Sequence, residues 1–198
     1  MSEMLDLEMN SRLLNCIDKD KLKKEKIDGK IYLMASPGRT HICVTDNLAL
    51  IFNNYFKQNK RRCRAFTNAE LYINEKNYLV PDIKVLCREK DDSDVPVIVA
   101  EILSKSTRKR DLGLKMQKYA ELGIKEYWIV TLESLSVDIY LLGEDKRYEL
   151  YNSYSIFVAS DRIETFDEDE LEQIVSGFCP VSFPELELPL EDIFDIFE

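Results

Sequence analysis

Two carboxylates interrupt stretches that otherwise read as apolar strands: Asp82 in Val80-Pro81-Asp82-Ile83, and Glu101 in Val99-Ala100-Glu101-Ile102. Taking an ionised carboxylate out of water is costly unless a cation or metal compensates it. Two of them on successive strand patterns therefore point to a shared divalent cation. Mg²⁺ favours oxygen ligands, commonly one or two carboxylates, with water and substrate phosphate completing the shell. Such an ion can activate a water and neutralise charge on a phosphodiester. A nearby amine could orient or deprotonate the attacking water, or stabilise the pentavalent transition state. Plainer readings stand beside these: Asp82 as a turn carboxylate after a proline, and Glu101 as a structural partner of an arginine.

The elements that must position these groups follow from periodicity and breakers. The first 26 residues, ending in the charged run DKDKLKKEK, read as one helix or two. Ile27-Asp28-Gly29-Lys30 signals a turn into a strand, Ile31 to Ala35, which Ser36-Pro37-Gly38 ends. From Thr40 to about Gln58, Val44, Leu48, Ile51, Phe52, Tyr55 and Phe56 recur at helical spacing. Strands are expected at Arg62 to Phe66, Glu70 to Ile73 and Tyr78 to Cys87, with Asn74 to Asn77 as a hairpin loop. Val95 to Leu103 reads as a strand buried on both faces. A helix over Thr107 to Leu122 stops at Gly123. Glu126 to Thr131 and Val137 to Leu142 are further strands, and the Tyr-rich Arg147 to Ser160 is hairpin-like. Asp167 to Val175 reads as a short helix, and Phe183-Pro184 with Leu190 to Phe197 as segments that dock on the body. The order is mixed α/β in a single domain, 1–198, with an N-terminal helical segment over 1–26 and an acidic C-terminal appendage over 161–198.

Pro81-Asp82 followed by Glu101-Ile102-Leu103-Ser104 resembles the PD-(D/E)xK nuclease signature, except that Leu103 stands where the signature has lysine. The wider text resembles the Uma2 endonuclease family. Its matching stretches are Met34-Ala35-Ser36-Pro37 with His41, Val80-Pro81-Asp82-Ile83, and Val99 to Ser104 with Ser106-Thr107. It continues through Arg110-Asp111, Lys115, Tyr119, Gly123 and Lys125-Glu126-Tyr127-Trp128-Ile129-Val130. The likeness spans roughly residues 25 to 142, and the Phe183 to Phe194 tail is also family-like. It implies a restriction endonuclease-like mixed central sheet flanked by helices, with β additions and a C-terminal tail. It also implies a Mg²⁺-dependent endonuclease (Mn²⁺ as substitute) acting on DNA, with Asp82 and Glu101 as metal ligands and the lysine moved onto the next helix.

That last implication meets a geometric check. With Leu112 at zero and about 100° per residue, Lys115 falls at about 300°, between Leu122 at about 280° and Tyr119 at about 340°. Gln117 and Glu121 fall on the opposite side, at about 140° and about 180°, and Lys118 on the flank at about 240°. Lys115 is thus the helix lysine aimed at the sheet, as catalytic amine or as a side chain snorkelling past core residues. Lys84, two residues after Asp82, projects from the same strand face and is a second cation for the site or a neutralising partner.

Several other residues are candidates. Glu25, just before the first turn, is either a third carboxylate or a solvated charge in a charged helix. His41 opens the second helix as a substrate contact or a structural hydrogen-bonder. Ser104 to Arg110 reads S-K-S-T-R-K-R, so Lys105, Arg108, Lys109 and Arg110 form a local basic cluster. Ser106 or Thr107 could cap the helix that follows, whose dipole favours anions. Lys57 to Arg64 is a second basic cluster, readable as an exposed helix end or a backbone contact.

The bulk numbers narrow the partners. The chain has 198 residues, 45% of them hydrophobic, enough for a sizeable core, and a formal charge of -10. That charge argues against coating nucleic acid through a global positive field, while leaving room for a local phosphate site. The five cysteines form no C-x-x-C pair and there is a single histidine, so a Cys/His zinc site would need distant residues to converge. Reduced thiols in a cytoplasmic protein are expected. No stretch has the length of a membrane helix, and no secretory h-region opens the chain. The expected partners are DNA and, in a homodimer, a second copy of the chain. The rival readings are a catalytically silent nucleic-acid- or protein-binding module on the same fold, and an assembly protein that oligomerises through its acidic tail.

Overall fold

The computed structural model describes residues 24–34, 36–88, 93–104, 108–156 and 176–196. Strands β1 (Lys24–Ile27) and β2 (Lys30–Leu33) form a hairpin, followed by helix α1 (Arg39–Gln58), β3 (Cys63–Thr67), β4 (Leu71–Asn74), β5 (Asn77–Leu79), β6 (Ile83–Cys87) and β7 (Ile98–Leu103). A helical run, α2 (residues 108–122), leads to β8 (Glu126–Thr131), β9 (Ser136–Leu142) and β10 (Tyr148–Ser155). The chain closes with β11 (Gly177–Phe178), β12 (Leu188–Pro189) and α3 (Leu190–Ile193).

A six-stranded mixed sheet, ordered β10-β9-β8-β7-β6-β3, forms the centre, and a four-stranded sheet, β2-β1-β5-β4, lies to one side. Among the described strands only β7 and β8 pair in parallel, as a strand–helix–strand crossover through α2 requires. All six residues of β7 are buried, and its alternation divides two cores. Ile98, Ala100 and Ile102 join α1 and the C-terminal segment. Val99 and Leu103 join α2 and the small sheet. Glu101 lies in the second row, so the sheet itself aims it at α2.

The sequence expectations fail at three places, each for a physical reason. Lys24 to Lys26, assigned to a helix, belong to β1. Pairing with β2 and β5 buries Glu25 and Ile27 on one face, and this tertiary pairing overrides a composition suited to helix. Asp28 and Gly29 adopt φ of 50° and 81° between the paired Ile27 and Lys30, the left-handed geometry of a two-residue hairpin turn. Residues 1–23 and the helix expected over Asp167 to Val175 lie outside the described residues. The strand expected over Tyr78 to Cys87 is two strands in two sheets. Pro81 between them lacks the N–H that a ladder needs.

The third correction concerns thiols. Cys63 and Cys87 are directly opposite in the β3–β6 register with Cα atoms 4.0 Å apart, and form a disulfide. This overturns the expectation of reduced thiols, because cross-strand register, which cysteine number and spacing do not reveal, brings the two together. Cys43 and Cys179 are free. Residues 176–196 dock on the body, as expected for Phe183-Pro184 and for the segment from Leu190. Phe178, Phe183, Leu186, Leu188, Leu190, Ile193 and Phe194 are buried in the larger core. Within the described residues no helix is long and apolar enough to cross a membrane.

Candidate active site

The carboxyl group of Glu101, buried in the middle of β7, meets two donors from α2. Lys115 Nζ lies 2.9 Å from Oε1 and Tyr119 Oη donates to the same oxygen at 2.5 Å. Asp82 stands at the bend before β6, where Oδ2 accepts a hydrogen bond from Ile102 N at 2.8 Å. Its Oδ1 lies 3.0 Å from Nε2 of His41 in the first turn of α1, an approach without hydrogen-bond geometry. The two expected carboxylates and Lys115 therefore meet in one place.

Two further carboxylates complete the cluster. Glu25 is fully buried, not solvated. Its Oε1 lies 2.8 Å from Lys115 Nζ and accepts from Val80 N at 3.0 Å. Asp111, named in the family-like text but given no site role there, places Oδ1 3.4 Å from the same ammonium. Asp111, Lys115 and Tyr119 recur every four residues on one helix face, the signal by which Asp111 and Tyr119 could have been found.

α2 reaches this arrangement through a π-helical stretch, Asp111–Lys115. Such bulges shift the side-chain register within a helix. Asp111 and Lys115 are buried, while Leu112 and Leu114 are 39% and 40% exposed. The apolar arc centred on Leu112 is thus incorrect, although Lys115 does turn inward. Lys118, expected on the flank, is buried against Asp28 at 2.8 Å and Glu121 at 3.0 Å. Tyr127 Oη donates to the Asp111 carbonyl at 3.0 Å, tying the bulge to β8. Gly123, with φ 84°, ends the helix in the left-handed conformation.

Burial pushes the Glu101 carboxyl well above the usual carboxylate range. Lys115 opposes this, while Asp82, Asp111 and Glu25 add to it. Burial alone would depress Lys115, but Glu101, Glu25 and Asp111 outweigh it and hold the ammonium above the ordinary lysine range.

Asp82, Glu101, Asp111 and Lys115 line a cleft of about 390 Å³ together with Gly38, Arg39, His41, Asn68, Arg108 and Thr131. The N-terminus of α1, with Gly38 as N-cap and no side-chain cap, opens into it.

The remaining candidates separate. Lys84 shares the Val99 face, but its amine donates to the Glu70 carbonyl and is not part of the cleft lining. Burial, opposed by Asp94 and Glu70, depresses its pKa. Alternation placed its face correctly, but not the direction in which its flexible stem runs. Of the basic cluster, Arg108 lines the cleft, Lys109 is exposed elsewhere, and Lys105, Ser106 and Thr107 lie outside the described residues. Arg110 turns inward instead. Its Nε lies 3.6 Å from Glu25 Oε2 and its guanidinium 5.3 Å from the Tyr32 ring centroid, the buried charge of Glu25 recruiting it from any solvent-side role.

The donor chemistry fits a divalent ion of the two-carboxylate kind. Asp82 and Glu101 offer hard oxygens to one cleft, and each carboxylate retains acceptor capacity beyond the contacts given. Among the described residues no group of three or more His, Cys, Asp or Glu stands in metal-holding geometry, which leaves water and substrate oxygens to complete a shell.

A mixed sheet flanked by helices, with carboxylates on adjoining strands and a lysine on the crossover helix, belongs to the nuclease-like folds. The crystal structure of a "putative nuclease belonging to DUF820" from Anabaena variabilis superposes with a TM-score of 0.63, covering 91% of this chain and 94% of that one at 22% identity, a likeness of fold. The family model for Uma2, described as "Putative restriction endonuclease", matches residues 3–171, and the chain belongs to that family. The "Uncharacterized protein slr1290" of Synechocystis is 30% identical over 156 residues, 74% of this chain and 78% of that protein.

Proposed function

We propose that this protein is a Mg²⁺-dependent endonuclease that hydrolyses DNA phosphodiester bonds in the cleft above Glu101. The observation that carries this reading is the meeting of two buried carboxylates, Asp82 and Glu101, at one cleft, with Lys115 2.9 Å from Glu101. Carboxylates held together out of water are costly unless a cation compensates them, and a divalent cation is a matching complement for hard oxygen donors. Membership of a family described as restriction endonucleases supports the same reaction class.

Asp82 and Glu101 would hold the ion, which when bound supplies activation of water and charge neutralisation at the scissile phosphate. The Ile102 N–H orients Asp82, which His41 approaches at 3.0 Å, and Tyr119 orients Glu101. Lys115, held cationic by three carboxylates, offers positive charge to the developing negative charge of the transition state rather than a free amine base. Arg39, Arg108 and the uncapped N-terminus of α1 favour an anion in the cleft.

The test is incubation of supercoiled and linear DNA with Mg²⁺ or Mn²⁺. Cleavage by the wild type, abolished by chelation and by Asp82→Asn, is expected. Metal-independent cleavage, or none across metals and salts, would overturn the reading. DNA binding without cleavage would favour a silent binding module on the same fold.

A further inference from the structure

Strand β3 is the outermost strand of the large sheet, and its two faces differ. Ala65 faces α1 and the core. Arg62, Arg64 and Phe66, alternating with it, are all exposed, on the face shared by Lys84, Val99 and Glu101, because Phe66 pairs with Lys84 and Lys84 with Val99. These three side chains make a single file, spaced by about 6.6 Å at two residues per step. Two residues beyond Phe66, Asn68 lines the cleft. The file therefore leads to the mouth of the site from the side of β6, where Asp82 stands.

We propose that this row is a track for single-stranded nucleic acid flanking the cleaved bond, an inference that rests on the nuclease reading and extends it. Charge complementarity selects the occupant. In a chain of net charge -10, residues 57–64 carry Lys57, Lys60, Arg61, Arg62 and Arg64. Arg62, just before β3, and Arg64 within it are spaced to meet successive phosphates of an extended polyanion, and an exposed ring ends the row. Aromatic side chains beside basic residues are the elements by which unpaired strands are held, bases stacking while phosphates are neutralised. The Arg64 guanidinium lies 6.0 Å from the Phe66 ring centroid, so cation and ring form one surface. Asp94, near Lys84, is engaged by Arg88 at 2.8 Å.

An added protein strand fits the edge poorly. Asn53 of α1 donates to Ala65 O and accepts from Ala65 N, both at 3.0 Å. The middle of the β3 backbone edge is thereby already bonded, and only the side-chain face remains for a partner.

The test uses the full chain with a labelled single-stranded oligonucleotide of mixed sequence, titrated in EDTA across a salt series, with a duplex of the same sequence in parallel. The Arg62→Ala/Arg64→Ala pair is expected to weaken single-strand binding about tenfold and to lower the salt slope by about 1.4, two phosphate contacts' worth. Phe66→Ala is expected to weaken it about tenfold with an unchanged slope. Affinity and slope indistinguishable from wild type, a loss confined to duplex, or a wild type that binds no single strand would each overturn the track. Plasmid cleavage with Mg²⁺ by the same proteins separates the two ideas. Cleavage with unaltered variant binding sinks the track and leaves the nuclease. Binding through the row without wild-type cleavage sinks the nuclease and leaves the track.

Discussion

The ammonium of Lys115 lies 2.8 Å from Glu25 Oε1, joining the crossover helix to the first described strand. The same nitrogen lies 2.9 Å from Glu101, so one cation is shared by carboxylates on two different sheets. Removing it would strip Glu101 of its lysine partner and leave Glu25 with Arg110 at 3.6 Å in place of an ammonium at 2.8 Å.

Lys115→Met is therefore expected to destabilise the protein by about 3–5 kcal/mol, the usual consequence of leaving a buried charge unpaired. Adding Glu25→Gln should recover part of that loss, because it removes one of the charges that lose the ammonium. Urea unfolding of wild type, both single variants and the double variant closes the cycle. Strict additivity of the two changes would contradict the shared-cation arrangement.

Metal affinity should rank by distance from the proposed ion. Asp82→Asn and Glu101→Gln are expected to abolish Mn²⁺ binding measured by calorimetry. His41→Ala and Tyr119→Phe remove only groups that contact those carboxylates, and should cost about 10- to 100-fold, as outer-shell changes do. Unchanged affinity in the two carboxylate variants would place the ion elsewhere.

Much of this site was legible because β7 alternates so regularly. A glutamate in the row Val99, Glu101, Leu103 has to face whatever covers that side, and the crossover helix does. Helical phase brought Lys115 inward even though its reference residue, Leu112, is partly exposed. The π-helical turn has no signature in composition, so the buried role of Lys118 and the pairing of Asp111 with Lys115 did not emerge from an ideal wheel. Glu25 was obscure for another reason. Its neighbours are all charged or polar, and only pairing with β2 and β5 buries it. The Cys63–Cys87 bond likewise depends on cross-strand register, which local patterns do not encode.

Alkaline pH should unfold the protein through its buried phenols. Burial raises Tyr127 and Tyr148 above the ordinary value of 10.0; for Tyr127, Glu101 and Asp111 add to the rise. The folded state then holds these protons more tightly than the unfolded chain. Their stabilising contribution is complete below pH about 10 and is lost as pH climbs from there through the raised folded values. Tyrosinate absorbance and far-UV circular dichroism should change together in one cooperative step. Ionisation of these phenols at ordinary pH with structure retained would show that they are not buried as described.

Glu126 tests whether the C-terminal segment is part of the fold. The family match ends at residue 171, yet Phe178, Phe183 and Leu188 are buried in the larger core. The buried carboxylate of Glu126, at the start of β8, holds this segment in place. It accepts from Val181 N at 3.1 Å, from Ser182 N at 2.9 Å, from Ser182 Oγ at 2.7 Å and from Trp128 Nε1 at 3.0 Å. Glu126→Ala strands several donors at once, and a cost of about 3 kcal/mol or more is expected. Glu126→Gln keeps the size but turns an amide N–H toward donors, so an intermediate loss should follow. Hydrogen exchange should rise first over residues 176–190, where the bonds are lost. Glu126 does not line the cleft, so Mn²⁺ affinity at temperatures well below unfolding should be unchanged. A variant with full stability would mean that apolar burial alone secures the segment; one that lost metal affinity while folded would mean that the two ends of β8 are coupled.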